Sequence, residues 1–206
     1  MDRQGHSAPR NALIWVALGA AAFVPLIAAA LSPLLAWREP IYIASGFAGI
    51  IALVLLMMQP LLVAGYIPGL AALRGRRIHR VVGAVLVLSV LLHVGGLWIT
   101  SPPDVVDVLL FRSPTPFSIW GVVAMWAVFA AALLATFRNR LKLPLPLWRV
   151  AHTALAVVIV TGAVVHTLLI EGTMEPISKV VLCVIVSLVS AKVFLSRRSW
   201  AAYFRN

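Results

Sequence analysis

Four histidines in apolar surroundings are the residues of this sequence best suited to chemistry. They form two pairs, His79 with His93 and His152 with His166, and the members of each pair are 14 residues apart. Fourteen residues of α-helix rise about 21 Å and make about four turns, so each pair would lie on one face of its helix. Imidazole is a common metal ligand. The repeated spacing therefore predicts that the four side chains act together.

The same spacing limits what the histidines can bind. The four cannot share one metal ion, because the members of a pair would be about 21 Å apart. If the two helices run in the same direction, His79 lies level with His152, and His93 lies level with His166. One imidazole from each helix at each level could provide the two axial ligands of a haem iron. We therefore predict two bis-histidine b-type haems rather than isolated hydrogen-bonded histidines.

Small and aliphatic side chains continue the two histidine faces, and none of them is ionisable. They are Gly83, Leu86 and Val90 in the first segment, and Ala156, Ile159 and Ala163 in the second. The small members leave room for a flat macrocycle between the helices.

Three arginines could pair with anionic haem propionates. Arg80 and Arg149 are near His79 and His152, and Arg112 is on the opposite side of the membrane. They could equally serve only to set the membrane topology, and the sequence leaves this open. It also leaves open whether Gln59, before Pro60, bonds freed backbone or faces a haem edge.

The segments that carry the histidines are apolar enough to cross a membrane. The 206 residues are 62% hydrophobic and 11% charged, whereas soluble domains have about 45–50% and about 25%. A spanning helix needs roughly 20 apolar residues. Six segments meet this length, at 12–35, 41–66, 79–100, 118–137, 149–170 and 177–196. We therefore predict an all-α membrane protein, a six-helix bundle with no second domain.

The basic residues predict how this bundle is oriented. Thirteen of the 17 lie in the two tails and in the connections after the second and fourth spans, while five of the six acids lie on the other side. Since cytoplasmic loops are enriched in Lys and Arg, both termini should be cytoplasmic. Nucleic-acid binding is not expected, because the basic residues form short clusters between apolar runs rather than a continuous surface.

The chain thus divides into a tail at 1–11, a haem-binding transmembrane domain at 12–196 with its core at 41–196, and a tail at 197–206. The connection at 100–117 is the longest between spans. Its stretch from Asp104 to Phe111 fits a short interfacial helix or an ordered loop equally well. Cys183 is expected to be a buried apolar residue.

The histidine motifs resemble those of the ferric reductase-like transmembrane domain. The resemblance rests on RRIHRVVG at 76–83 with LLH at 91–93, and on LWRVAH at 147–152 with VVH at 164–166. It covers about residues 41–196. That family includes eukaryotic ferric reductases, NADPH oxidases and the haem subunits of bacterial periplasmic methionine sulfoxide reductase. The resemblance implies transmembrane electron transfer, with the four histidines at the family's ligand positions.

The expected function is a haem conduit that forms part of an oxidoreductase in a bacterial inner membrane. A cytoplasmic-side flavoprotein or a membrane quinol would donate electrons, and ferric iron outside would accept them. The chain ends ten residues after the sixth span and has no GxGxxG, so FAD and NAD(P)H are expected only on a separate partner. The alternative acceptor is a periplasmic oxidoreductase such as methionine sulfoxide reductase.

Two other classes of function are less well supported. A proton or metal-ion transporter with histidine relays would need carboxylates within the membrane, and all six acids lie outside the predicted spans. A purely structural membrane subunit would carry no cofactor and would keep its function after the histidines are replaced.

Overall fold

The computed structural model describes residues 7–196, which form seven α-helices and no β-strand. The helices are α1 Ser7–Ala30, α2 Pro40–Ala64, α3 Ala72–Thr100, α4 Pro102–Leu109, α5 Pro116–Leu141, α6 Leu145–Leu169 and α7 Pro176–Leu195. All except α4 are long and apolar enough to span a bilayer. The predicted six-span, all-α architecture is therefore confirmed.

The predicted tails lie largely outside the described residues. Residues 1–6, with Arg3 and His6, and residues 197–206, with Arg197, Arg198 and Arg205, are not among them. From residue 7 onward the predicted N-terminal tail is already part of α1. We call the end of the bundle where α1 begins and α7 ends the tail side, and the opposite end, which carries α4, the α4 side.

Helix ends differ from the predicted spans where the helix continues beyond the apolar window or stops within it. The third helix begins at Ala72 rather than at 79, so Arg74, Arg76 and Arg77 lie on its first turns. Arginine is a good helix former, and hydrophobicity alone marks only the part of a helix that lies in hydrocarbon. The first helix instead ends at Ala30, before a short 3-10 helix at Pro33–Leu35.

The connection at 100–117 contains a helix, which decides between the two predicted alternatives. Two prolines occupy the first turn of α4, where their missing N–H groups cost no hydrogen bond. The hydroxyl of Ser101 contacts the carboxylate of Asp104 in the same turn. Val105 is buried against the rest of the protein, so α4 covers the end of the bundle with its apolar side inward.

Two helical hairpins, α2–α3 and α5–α6, form the most extensive packing, and α7 closes the bundle against α2 and α6. The core between them includes Met57, Leu182 and Val186, all fully buried. Small residues let the helices of a hairpin approach closely. A Cβ at Gly162 would be 2.9 Å from the Trp120 carbonyl oxygen. The hairpins place α3 and α6, which carry the histidines, opposite each other and running in the same direction.

Candidate functional site

The structure brings the four predicted histidines together as two pairs between α3 and α6. The ring centroids of His79 and His152 are 6.3 Å apart, and their planes make an angle of 77°. Those of His93 and His166 are 6.4 Å apart, at 78°. The first pair lies towards the tail side and is called the inner pair. The second pair lies towards the α4 side and is called the outer pair.

The distance within each pair fits an iron held between two imidazoles. A metal–imidazole bond is about 2.0–2.1 Å long, and the nitrogen lies about 1.1 Å from the ring centre, so two such ligands in line place their centroids about 6.3 Å apart. The described residues contain no group of three or more His, Cys, Asp or Glu side chains able to hold a metal ion. Two ligands per level suit a haem, whose porphyrin supplies the other four.

Backbone carbonyls orient both rings of the outer pair. Nδ1 of His93 donates a hydrogen bond to the carbonyl of Ser45 on α2, at 2.8 Å. Nδ1 of His166 donates to the carbonyl of Phe117 on α5, at 2.9 Å. Because a carbonyl can only accept, the proton is on Nδ1 in each neutral ring, and Nε2 keeps the lone pair needed to bind a metal.

The inner pair is held differently. Nδ1 of His79 and Nδ1 of His152 are buried and have no hydrogen-bond partner among residues 7–196. The indole of Trp148, one turn earlier on α6, stacks on the His152 ring with centroids 5.3 Å apart and planes within 10°. The guanidinium of Arg138 lies 4.8 Å from the Trp148 ring. Stacking rather than hydrogen bonding therefore orients His152.

Gln59 belongs to the surroundings of the inner pair. Its Nε2 lies 3.5 Å from the position that a Cβ would take at Gly83, which is one turn after His79. Its Oε1 is buried without a hydrogen-bond partner in the described part of the chain. The backbone carbonyl of Gln59 faces the His79 ring but does not complete a hydrogen bond with Nδ1 of His79. The Gln59 side chain thus points towards α3.

A cavity of about 540 Å³ lies between the hairpins and contacts both outer histidines. This volume is within the usual range for cofactor pockets, about 300–1,000 Å³. Leu86, Val90, Ile159 and Ala163, which the sequence analysis placed on the histidine faces, line it. It extends towards the α4 side and reaches Asp104 and Asp107 of α4.

The three arginines predicted to pair with propionates differ in exposure and in their position relative to the histidines. Arg80 is exposed next to His79, and Arg149 is half-buried close to His152. Arg112 is exposed on the α4 side and does not line the cavity. A propionate-binding role for them stays a prediction.

Sequence reasoning missed Lys179. It is the one cation among the described residues that line the cavity, and its Nζ donates to the carbonyl of Ile170 at 2.9 Å. The sequence signal was only a lysine in the first turn of an otherwise apolar helix, which by itself is typical of a membrane boundary.

A family model described as ferric reductase like transmembrane component matches residues 45–163. The match covers more than half of the chain, and the protein belongs to this family. The matched segment begins at Ser45, whose carbonyl orients His93, and includes His79, His93 and His152 but ends before His166. Comparisons with curated proteins and with solved structures found no match.

Proposed function

We propose that this protein carries electrons across a membrane through two b-type haems, each held by one histidine of α3 and one of α6. The observation that carries the proposal is the paired geometry of the histidines, with ring centroids 6.3 and 6.4 Å apart. Membership of the ferric reductase-like family supports it, since transmembrane electron transfer is the activity that this family suggests.

The haems, when bound, supply the one-electron chemistry, and the protein residues control the iron. Two histidines per iron leave no open coordination position, which favours electron transfer over oxygen binding. The aliphatic walls beside the outer pair, including Leu86 and Ile159, would give a bound haem a low-dielectric surrounding that tunes its potential.

The charges at the two ends of the bundle indicate its orientation in the membrane. The tail side carries Arg74, Arg76, Arg77 and Arg80 on α3, and Arg138 and Arg140 on α5. By the positive-inside rule this side is cytoplasmic, so electrons would enter at the inner pair from a cytoplasmic or quinol donor. They would leave from the outer pair to an acceptor outside.

The α4 end of the cavity, which would face the acceptor, is acidic. Asp104 and Asp107 lie at its α4 end, where carboxylates attract a cationic acceptor. We therefore propose ferric iron as the acceptor. Lys179 lines the same cavity, and we propose that it pairs with a propionate of the outer haem. Arg80 and Arg149 are the corresponding candidates for the inner haem.

Haem content tests the proposal. The detergent-purified chain should give a b-type reduced-minus-oxidised spectrum and about two haems per chain in a pyridine haemochrome assay. Replacing one ligand of either pair, as in His93→Ala or His152→Ala, should lower this to about one haem per chain, because the other pair stays intact. The replacement Val16→Ala, on the exposed side of α1 and outside the cavity, is the control and should keep both haems. A colourless protein, despite ample haem during expression, would contradict the ligand assignment.

A further inference from the structure

The two outer histidines meet their neighbouring helices in the same way. In each case Nδ1 donates to a carbonyl, that of Ser45 or that of Phe117. The residue four positions later, Gly49 or Gly121, faces the same imidazole. A Cβ at Gly49 would be 3.0 Å from Nδ1 of His93, and a Cβ at Gly121 would be 2.7 Å from Nδ1 of His166. The carbonyl and the glycine thus form a unit that occurs twice.

Helix geometry explains the spacing of this unit. In an α-helix the N–H of residue i+4 bonds the carbonyl of residue i, so these two residues lie one above the other on the same face. An imidazole that donates to the carbonyl from the side must occupy the space in front of residue i+4. At Gly121 an added Cβ would also be 2.9 Å from Cε1 of His166. A side chain there would push the ring away from its acceptor.

The inner pair lacks the unit. The α2 residue that faces His79 is Gln59, 14 residues after Ser45, and the residue four positions later is Val63. Nδ1 of His79 makes no hydrogen bond within residues 7–196, and neither does Nδ1 of His152. The completed hydrogen bond between a carbonyl and Nδ1 therefore occurs at the outer level, where glycine stands four residues after the carbonyl. It is not completed at His79, where Val63 stands in that position.

We propose that Gly49 and Gly121 are positioning residues for the outer haem, because they let two backbone carbonyls fix the tautomer and plane of its axial histidines. The inference rests on the proposed haem ligation and adds a difference between the outer and the inner haem. A carbonyl that accepts from Nδ1–H makes the imidazole a more basic ligand. A more basic ligand stabilises ferric over ferrous iron, so the glycines hold the potential of the outer haem lower than it would otherwise be.

The test uses the full chain carrying Gly49→Ala or Gly121→Ala. Gly95→Ala is the matched control, because Gly95 is on α3 near His93 and an added Cβ there meets nothing within 4 Å. Redox titration of the haem absorption and low-temperature EPR of the oxidised protein follow each haem separately. The outer component is the one that His93→Ala removes.

We expect the outer component to shift to higher potential, with an altered low-spin ferric EPR signal, while the inner component stays as in the unmodified chain. The effect should be larger for Gly121→Ala, whose Cβ would come closer to its histidine. Loss of the outer haem alone supports the inference in the same way. If Gly121→Ala does not fold, the test uses Gly49→Ala, in which the added Cβ would approach its histidine less closely.

Unchanged outer potential and EPR signal in both variants would overturn the inference, and so would equal changes in both haems or the same change in Gly95→Ala. These results differ from a failure of the proposed function itself. In that case the unmodified chain would already lack haem.

Discussion

At the scale of single residues, the inner and outer histidines are held by different forces. Hydrogen bonds to carbonyls fix His93 and His166, whereas His152 rests against the Trp148 indole. The Trp148 ring also contacts the Arg138 guanidinium. A cation over an indole face and an aromatic stack each contribute on the order of 1 kcal/mol. The indole therefore limits how far the His152 ring can turn.

Replacing Trp148 should affect only the inner haem. In Trp148→Ala the His152 ring loses its stacking partner, so we expect the inner haem to bind more weakly and to dissociate during purification, leaving about one haem per chain. Trp148→Phe keeps an aromatic face and should retain both haems. Haem content and the redox titration measure the result.

The control for this experiment is Trp126→Ala. The Trp126 indole is exposed on α5 and packs on Phe129 rather than on a histidine. Loss of both haems together in Trp148→Ala, or retention of both at normal potentials, would show that stacking does not hold the inner ligand.

The sequence was informative about the histidines and silent about what orients them. The 14-residue spacing of His79, His93, His152 and His166 predicts two levels directly from helix geometry. The carbonyls of Ser45 and Phe117 cannot be read in this way, because every residue has a carbonyl and only the packing of α2 and α5 decides which one faces a ring. The role of Gly49 and Gly121 could not be predicted for the same reason.

At the scale of helices, the two spans that begin after glutamates are capped differently. Glu175 precedes α7, and its carboxylate accepts hydrogen bonds from the backbone N–H groups of Ser178 and Ile177. Glu39 holds the same position before α2 but makes no such bond. The hydrogen bonds from Ser178, and then that from Ile177, lower the pKa of the Glu175 carboxyl below its ordinary value.

This difference predicts a pH-dependent contribution to stability. Because the pKa of Glu175 is lower in the folded protein, its stabilisation is present above the ordinary carboxyl pKa and is lost as the pH falls through the lowered value. Glu175→Ala should therefore lower the thermal unfolding midpoint in detergent at neutral pH. The difference from the unmodified chain should shrink in acid.

Glu39→Ala is the matched control and should change the midpoint less, since no cap bond is removed. An equal loss in both variants, or a Glu175→Ala effect that does not change with pH, would rule out the cap as its cause.

Helix existence was predictable at this scale, and helix ends were not. Length and hydrophobicity locate all six spans. They do not show that α3 begins at Ala72. The arginines in its first turns are good helix formers, but they are not hydrophobic and so fall outside the apolar window. The α4 helix was one of two alternatives, since eight residues give too short a pattern to separate a helix from a loop.

At the scale of the whole molecule, the two hairpins form a frame with one histidine helix each. The α2–α3 and α5–α6 hairpins pack so that α3 and α6 face each other at both histidine levels. Fourteen residues separate the levels on each helix, about 21 Å along the axis. Two haems at these levels would divide the hydrocarbon layer, about 30 Å thick, into short electron-transfer distances.

Electron transfer across a sealed membrane tests the central claim most directly. The purified, haem-loaded protein would be reconstituted in vesicles that contain a ferric chelate, and membrane-impermeant dithionite would be added outside. We predict reduction of the enclosed chelate, and a fall to the rate of protein-free vesicles in His93→Ala and His152→Ala, because either change interrupts the path. If both haems are reduced while the enclosed chelate stays oxidised, the protein does not conduct electrons across the membrane.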